Sequence, residues 1–172
     1  MKIGIMSDSH KKVGRSKKVI DLLKDQGAEQ IIHAGDIVKA EVLELLETSQ
    51  LPYIAVYGNN DAHLYRHHNI YNLVEEPYHF SFDELSVSLM HHPTYISYSR
   101  DIIIYGHTHD MDVRYEKDTL ILNPGESCAR DKPLSECLLL DIEKEHYHIT
   151  YFYRAIKTEQ WVEKKTTFKR VS

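Results

Sequence analysis

The sequence is poor in the residues that punctuate or cross-link small domains, with only 7 Gly, 5 Pro and 2 Cys among 172 residues. The two cysteines, Cys128 and Cys137, match neither a metal-ligand nor a redox-motif spacing, so we predict reduced packing residues. No apolar run approaches the roughly 20 residues of a membrane span, and the first residues lack a long apolar signal region. We therefore expect a cytoplasmic protein with no membrane segment.

Positive charge is also scarce, because 21 Lys and Arg face 26 Asp and Glu and give a formal net charge of −5. General nucleic-acid binders carry the opposite imbalance, so we expect no such binding. A length of 172 residues with 42% apolar residues suits one domain over residues 1–172. Histidine, by contrast, is abundant, with 12 His against 4 Phe and 1 Trp. Since histidine is the commonest metal ligand, the excess suggests a metal site.

The first sixty residues alternate predicted strands and helices. Apolar strands are predicted at 2–6, 30–33 and 53–57, and helical periodicity is present at about 15–26 and 41–48. This β-α-β-α-β order is typical of a sheet that contains parallel strands.

In the second half helical periodicity fades and short strands alternate with turns. The predicted strands are 78–82, 85–90, 102–105, 113–115, 120–122, 138–142 and 146–153. The tail after Ile156 is either a last edge strand or a frayed end. We predict one domain with mixed sheets covered by helices.

Five apolar strands each end in an abrupt group of oxygen or imidazole ligands. These groups are Asp8-Ser9-His10, Gly35-Asp36, Gly58-Asn59-Asn60-Asp61, His91-His92-Pro93 and Gly106-His107-Thr108-His109. Binding sites of open α/β sheets lie outside the carboxyl ends of the strands. The five groups are therefore expected to converge on one crevice, and the glycines allow the backbone to approach a ligand closely.

The side chains in these groups suit metal ions that prefer nitrogen and oxygen ligands. The candidate ligands are two carboxylates, one amide and four imidazoles: Asp8, His10, Asp36, Asn59, His91, His107 and His109. Such a set without thiolate fits Mn, Fe, Zn or Ni. Seven groups exceed the need of one tetrahedral ion, whereas two ions that share a carboxylate use them well, and such pairs hydrolyse phosphate esters.

The order Asp-x-His, Gly-Asp, Gly-Asn-x-Asp, His and Gly-His-Thr-His resembles the calcineurin-like metallophosphoesterases. The small size and the later Asn123-Pro124-Gly125 resemble the small prokaryotic phosphodiesterase branch of that superfamily. The resemblance spans residues 1 to about 130. It implies an α/β (α+β) fold, a four-layer αββα sandwich of two mixed β-sheets flanked by helices. It also implies a divalent-metal-dependent phosphodiesterase that acts on a small phosphodiester, with Mn favoured and Ni, Fe or Zn as alternatives.

The resemblance further implies how the ligands divide between two ions. The first ion is held by Asp8, His10, Asp36 and His109, and the second by Asp36, Asn59, His91 and His107, so that Asp36 bridges. A hydroxide between the ions attacks phosphorus in line.

The resemblance does not assign the leaving-group acid. Asn60 stands where the family has a histidine, and an amide cannot deliver a proton at neutral pH. We take His10, Asn60 and Asp61 as candidate catalytic residues. The acid itself stays open between His10, His67, His68 and metal-bound water.

Two further departures concern residues near the ligands. The family's His-Gly is His91-His92-Pro93 here, and we favour His91 because it directly ends the 85–90 strand, with His92 as the alternative. Glu126 replaces the serine of the Asn-Pro-Gly-Ser pattern and is expected to alter packing or substrate contacts. Among the other histidines, His33 lies in an apolar strand and is predicted to be a hydrogen-bonded core residue.

Two rival functions follow from other classes of protein. One is a catalytically weak or inactive scaffold of the same fold that acts through protein–protein interaction; drift to that role would erode ligands, yet all seven positions carry competent groups. The other is an amide or thioester hydrolase, for which the familiar His-x-His-x-Asp-His run is absent. A late segment rich in tyrosine suits a homodimer or homotetramer.

Overall fold

The computed structural model describes residues 1–171 and contains twelve strands and two α-helices. The helices are α1 (Val13–Asp25) and α2 (Ala40–Thr48), and single 3-10 segments occur at Ala62–His67 and Pro93–Tyr95. The strands are β1 (Lys2–Met6), β2 (Gln30–His33), β3 (Tyr53–Val56), β4 (Leu73–Val74), β5 (Tyr78–Phe82), β6 (Leu85–Leu89), β7 (Ile102–Ile104), β8 (Met111–Glu116), β9 (Thr119–Pro124), β10 (Leu134–Ile142), β11 (His146–Ala155) and β12 (Val162–Lys169).

The strands form two mixed sheets, which confirms the predicted fold class. The seven-stranded sheet has the order β12-β11-β10-β1-β2-β3-β4 and is parallel from β1 to β4. The five-stranded sheet has the order β5-β6-β7-β9-β8, with parallel β6, β7 and β9. The tail forms the edge strand β12 rather than a frayed end.

The core is divided by the alternation of side chains along each strand. Ile32 and Ile104 face the layer between the two sheets. Ile31 lies on the opposite face of its sheet, beneath α1 and α2, because successive strand residues point to opposite faces. Ile103 belongs to a small outer cluster on the five-stranded sheet. Within residues 1–171 this outer face has only the 3-10 segment Pro93–Tyr95 as helical structure, so the second helical layer is reduced to a turn.

Helix α1 begins at Val13, two residues before the predicted start. Its N-cap, Lys12, makes no side-chain capping hydrogen bond. A Ser, Thr, Asp or Asn at this position is the usual sequence signal of a helix start, and its absence explains the difference.

The register of the parallel strands brings their carboxyl ends level. Met6 pairs with His33, and His33 pairs with Ala55, at the ends of β1, β2 and β3. In the other sheet Leu89 pairs with Ile104 at the ends of β6 and β7. The loops that follow these five strands therefore meet at one edge of the sandwich. Across residues 1–171, no helix combines the length and the apolar character needed to cross a bilayer.

Candidate metal centre

The loops after β1 and β2 are bonded to each other through their backbones. Asp8 N donates to Gly35 O at 2.9 Å, and His10 N donates to Asp36 O at 2.8 Å. Asp8, His10 and Asp36 have φ of 51°, 45° and 55°, values that are uncommon for residues other than glycine. This sharp turning directs successive side chains back toward one space, and such conformations cluster at functional sites.

Glycines permit the loops to approach this closely. Gly35 has a φ of +92°, and a Cβ there would lie 2.6 Å from His91 Nδ1. At Gly58 a Cβ would collide with the backbone of Asp36. The two glycines are therefore required because a side chain at either position would collide with a neighbouring loop, as well as for their conformational freedom.

One group of side chains, which we call the first half-site, consists of Asp8, His10 and His109. Asp8 Oδ1 lies 3.2 Å from His109 Nε2, and His10 Nε2 lies 3.3 Å from the same nitrogen. All three residues are buried. Asp36 Oδ2 lies 3.7 Å from His10 Nε2 and borders this group.

A second group, the second half-site, consists of Asn59, His91 and His107. Asn59 Oδ1 lies 3.0 Å from His91 Nε2 and 3.1 Å from His107 Nδ1. Asp36 Oδ1 lies 3.6 Å from His91 Nε2. The two oxygens of Asp36 thus face the two half-sites, and all seven side chains proposed as ligands are brought together.

The donor set fits divalent cations. Asp8 Oδ1 is buried without a hydrogen bond of good geometry, and His107 Nδ1 and His91 Nε2 lie only 3.3 Å apart. The second ring nitrogens of two histidines are anchored: His109 Nδ1 is 2.7 Å from Glu126 Oε2, and His91 Nδ1 is 2.8 Å from Ala34 O. Metal-ligating histidines are usually held in this way through the ring nitrogen that does not bind the ion.

His91 and His92 occupy different surroundings. While His91 Nε2 faces Asn59, His92 Nδ1 lies 2.5 Å from Glu76 Oε1. Glu76 Oε2 also accepts hydrogen bonds from the backbone N–H of both His91 and His92, at 2.6 and 2.8 Å. This geometry favours His91 as the ligand and makes Glu76 the residue that fixes the loop after β6.

Asn60, which is exposed, and Asp61, which is buried, both stabilise the loops. Asn60 donates to Asp36 twice, from its backbone N to Oδ1 at 2.9 Å and from Nδ2 to Oδ2 at 2.7 Å. The Asp61 carboxylate accepts hydrogen bonds of 2.7–3.0 Å from the backbone N–H groups of Ile37, Val38 and Gly58. Burial nevertheless raises the pKa of Asp61.

Glu126 is the residue whose role the sequence left unassigned. It is fully buried, and besides facing His109 it accepts hydrogen bonds from Cys128 Sγ at 3.2 Å and from the backbone N–H of Asp131 and Lys132. The only signal in the sequence was a glutamate at the position of the family's serine. Cys128 and Cys137 are buried free thiols, as predicted.

The first half-site favours positive charge. Burial alone would raise the pKa of Asp8, but the interactions with His109, His91 and Ser7 together outweigh it and hold that pKa below its ordinary value. The same contact with Asp8 raises the pKa of His109 to about 9, with Glu126 contributing. Burial lowers the pKa of His10 and of His107. A cation placed among these groups would gain the same electrostatic stabilisation.

Other histidines lie behind or beside the cluster. Gly35 N donates to His33 Nδ1 at 3.2 Å, so His33 Nε2 carries the proton and donates to Ser9 Oγ at 2.9 Å. Burial lowers the pKa of His33 to about 4 and keeps this core residue neutral. His68, which directly follows the 3-10 segment Ala62–His67, has its Nδ1 2.7 Å from Tyr65 O.

Two mixed sheets whose strand ends converge on a paired histidine–carboxylate cluster define a two-sheet sandwich built to hold metal ions. The chain belongs to the calcineurin-like phosphoesterase superfamily, whose domain matches residues 1–145. The expected superfamily is confirmed, and with it, at the level of the family, the expected enzyme class of metal-dependent phosphoric ester hydrolases.

Similar sequences and structures agree with this assignment. The chain is 32% identical to phosphodiesterase MJ0936 of Methanocaldococcus jannaschii over 160 residues, which cover 86% of this chain and 96% of that protein. The structure of a novel archaeal phosphodiesterase is similar with a TM-score of 0.74 and 28% identity, covering 96% of this chain and all (100%) of the other. A Vps29 variant from Entamoeba histolytica superposes with a TM-score of 0.79 at 18% identity, covering 98% and 99% of the two chains, and shows the fold alone.

Proposed function

We propose that this protein is a phosphodiesterase that hydrolyses a small phosphodiester with two divalent metal ions. The observation that carries the proposal is the placement of Asp36, whose Oδ2 lies 3.7 Å from His10 Nε2 and whose Oδ1 lies 3.6 Å from His91 Nε2. A carboxylate between two sets of nitrogen and oxygen donors suits a pair of ions that share one ligand. The diester preference is supported by the relative named a phosphodiesterase.

In this mechanism Asp8, His10 and His109 would hold the first ion and Asn59, His91 and His107 the second, and Asp36 would contribute to both. The chemistry that such a pair supplies when bound is activation of water and neutralisation of phosphoryl oxygens. Asn60 orients the shared carboxylate through its two hydrogen bonds. Asp61 fixes the loops after β2 and β3 through three backbone N–H groups.

The side chain at position 60 does not provide a leaving-group acid in this proposal. Its amide Nδ2 donates to Asp36 Oδ2 and has no proton to give at neutral pH. We propose that turnover therefore favours good leaving groups, because His10 would be engaged as a ligand of the first ion and would not be free to donate a proton. The rate of hydrolysis of an aryl diester can be divided by that of a matched alkyl diester. This ratio should be larger for this protein than for a relative with a histidine at position 60.

The proposal is tested with protein stripped by a chelator and reconstituted with Mn, Ni, Fe or Zn. Hydrolysis of bis-p-nitrophenyl phosphate should require added metal, with two ions bound per chain, and should exceed hydrolysis of p-nitrophenyl phosphate. A cyclic nucleotide completes the substrate panel. Protein that binds no metal and hydrolyses none of these esters would instead support the scaffold alternative.

The finer assignments are proposals of the same kind. We propose manganese as the working ion because oxygen-rich and imidazole donors suit it, and the metal series above tests this choice. A cytoplasmic location and assembly into a homodimer or homotetramer are likewise proposed. Light scattering of the purified protein measures the mass of the assembly.

A further inference from the structure

A cavity of about 480 Å³ opens beside the first half-site. His10 and Asn60 form the wall next to the candidate metal centre, and Lys11, Lys12 and Arg130 supply its charged lining. Within the part of the chain that the structure describes, no carboxylate lines this cavity. In a protein of net charge −5, the cavity is thus a local concentration of positive charge.

The two lysines form no ion pair with any residue of 1–171. No Asp or Glu oxygen of residues 1–171 lies within 4 Å of the ammonium of Lys11 or Lys12. Arg130 differs, because its Nε pairs with Asp131 Oδ1 at 3.1 Å. The lysines also do not stabilise α1, since they precede its first residue, Val13, where the helix dipole favours negative charge.

The position of the cavity relates it to the reacting phosphorus. His10 contributes to its wall, while His10 Nε2 lies 3.7 Å from Asp36 Oδ2. This step rests on the proposed function: a phosphodiester whose phosphorus lies between the half-sites would direct one of its two ester groups into the cavity. Two unpaired ammonium groups beside one paired guanidinium match the charge of a phosphate monoester, about −2, better than that of a carboxylate.

We propose that this cavity binds a second phosphoryl group, carried by one ester substituent of the substrate, and that Lys11 and Lys12 recognise it. The substrate class is then a phosphodiester with an additional terminal phosphate. Lys11 and Lys12 act as specificity-determining residues, because their contribution depends on that second phosphate and not on the bond that is hydrolysed.

A matched pair of substrates tests the proposal. Thymidine 5′-(p-nitrophenyl phosphate) and its 3′-phosphorylated counterpart differ only in the second phosphate. At low ionic strength, kcat/KM of the native protein should be at least about tenfold higher for the phosphorylated member, as two ion pairs of ordinary strength provide. In the variant K11Q/K12Q this ratio should fall to about 2 or less, and in the native protein salt should reduce it by screening.

The control is K17Q/K18Q, which also removes two positive charges, at lysines of α1 that pair with Asp21 and Glu159 and lie outside the cavity. It should keep the native ratio, and the thermal midpoints of both variants should match that of the native protein. A ratio near 1 in the native protein, or an unchanged ratio in K11Q/K12Q, overturns the inference.

A binding measurement separates this inference from the proposed function. Calorimetry compares thymidine 3′,5′-bisphosphate with thymidine 5′-monophosphate on the native protein and on K11Q/K12Q. Tighter binding of the bisphosphate that depends on the lysines supports the cavity assignment even when bis-p-nitrophenyl phosphate is not hydrolysed. Hydrolysis of that aryl diester with equal binding of the two nucleotides would uphold the phosphodiesterase and reject the cavity assignment.

Discussion

The two half-sites of the candidate metal centre differ in what anchors their imidazoles. His109 Nδ1 faces the buried carboxylate of Glu126 at 2.7 Å, whereas His91 Nδ1 faces the carbonyl oxygen of Ala34 at 2.8 Å. A carboxylate behind a ligating histidine makes the ring a stronger donor than a neutral carbonyl does, because it stabilises positive charge on the imidazole. The first half-site is therefore expected to be the stronger cation site.

The oxygen ligands differ in the same direction. The first half-site contains the carboxylate of Asp8, which is fully buried, and the second contains the neutral amide of Asn59, which is exposed. Charge attracts a divalent ion more strongly in a buried site than at a solvated surface. One shared carboxylate can therefore join two sites of unequal affinity.

Asp36→Asn should have the largest effect, because Asp36 is the proposed shared ligand of the two half-sites. Asparagine tolerates the left-handed conformation in which Asp36 is held, with a φ of 55°, so the loop should keep its shape. Removal of the shared negative charge should abolish binding of two ions and lower kcat/KM for bis-p-nitrophenyl phosphate by at least about a thousandfold. Elemental analysis and hydrolysis assays measure the two effects.

Asp21→Asn is the matched control, since Asp21 is an exposed residue of α1. It should bind two ions and retain native turnover. Near-native hydrolysis by the Asp36→Asn variant would contradict the assignment of both half-sites.

His91→Ala should weaken the second half-site alone. His91 Nε2 is within 3.0 Å of Asn59 Oδ1, so the variant loses one donor of the second ion while the first half-site stays complete. We expect kcat/KM to fall about a hundredfold and metal content to fall from two ions toward one.

His92→Ala is the comparison variant, because His92 Nδ1 is held by Glu76 although its ring lies beside that of His107, with centroids 4.5 Å apart. Its kcat/KM should stay within about threefold of native. If His92→Ala caused the larger loss of metal, the two residues would have to exchange roles.

The convergence of the candidate ligands was largely predictable because its signal is local. Each group of ligands directly follows a short apolar strand, and parallel strands in level register place such groups at one edge of the sandwich. Strong periodicity likewise identified α2 and most strands. The predicted start of α1 was wrong because the helix has no capping residue to mark it. Strand β4 was not predicted because its two residues are too few to show a periodic pattern.

The groups behind the ligands were not predictable in the same way. Glu126 and Glu76 approach their histidines from positions distant in sequence, and a glutamate in a turn gives no indication of whether it is buried. The cationic cavity also depends on the juxtaposition of Lys11 and Lys12 with Arg130 across the fold. Such contacts follow from packing, which sequence periodicity does not specify.

Stepwise metal binding by the native protein tests the inequality of the half-sites directly. A titration with Mn²⁺, followed by the electron paramagnetic resonance signal of the free ion, should show two steps separated by at least about tenfold in affinity. The tighter step corresponds to the first half-site. Two steps of equal affinity would contradict the expected difference in metal affinity between the half-sites.

Glu126→Gln should narrow this separation and is the smallest effect expected. Glutamine keeps the volume of Glu126 and can still contact His109 Nδ1, but it removes the negative charge behind the ring. The affinity of the tighter step should fall about tenfold, the lower end of the range for residues that support a metal-ligating histidine, while the weaker step stays unchanged.

Glu84→Gln, at an exposed residue, should leave both steps in place. Since Glu126 also accepts hydrogen bonds from the backbone N–H of Asp131 and Lys132, a purely structural role would lower the thermal midpoint of the metal-free protein. A selective loss of the tighter step with little change in that midpoint assigns Glu126 to the ion, whereas equal weakening of both steps would contradict it.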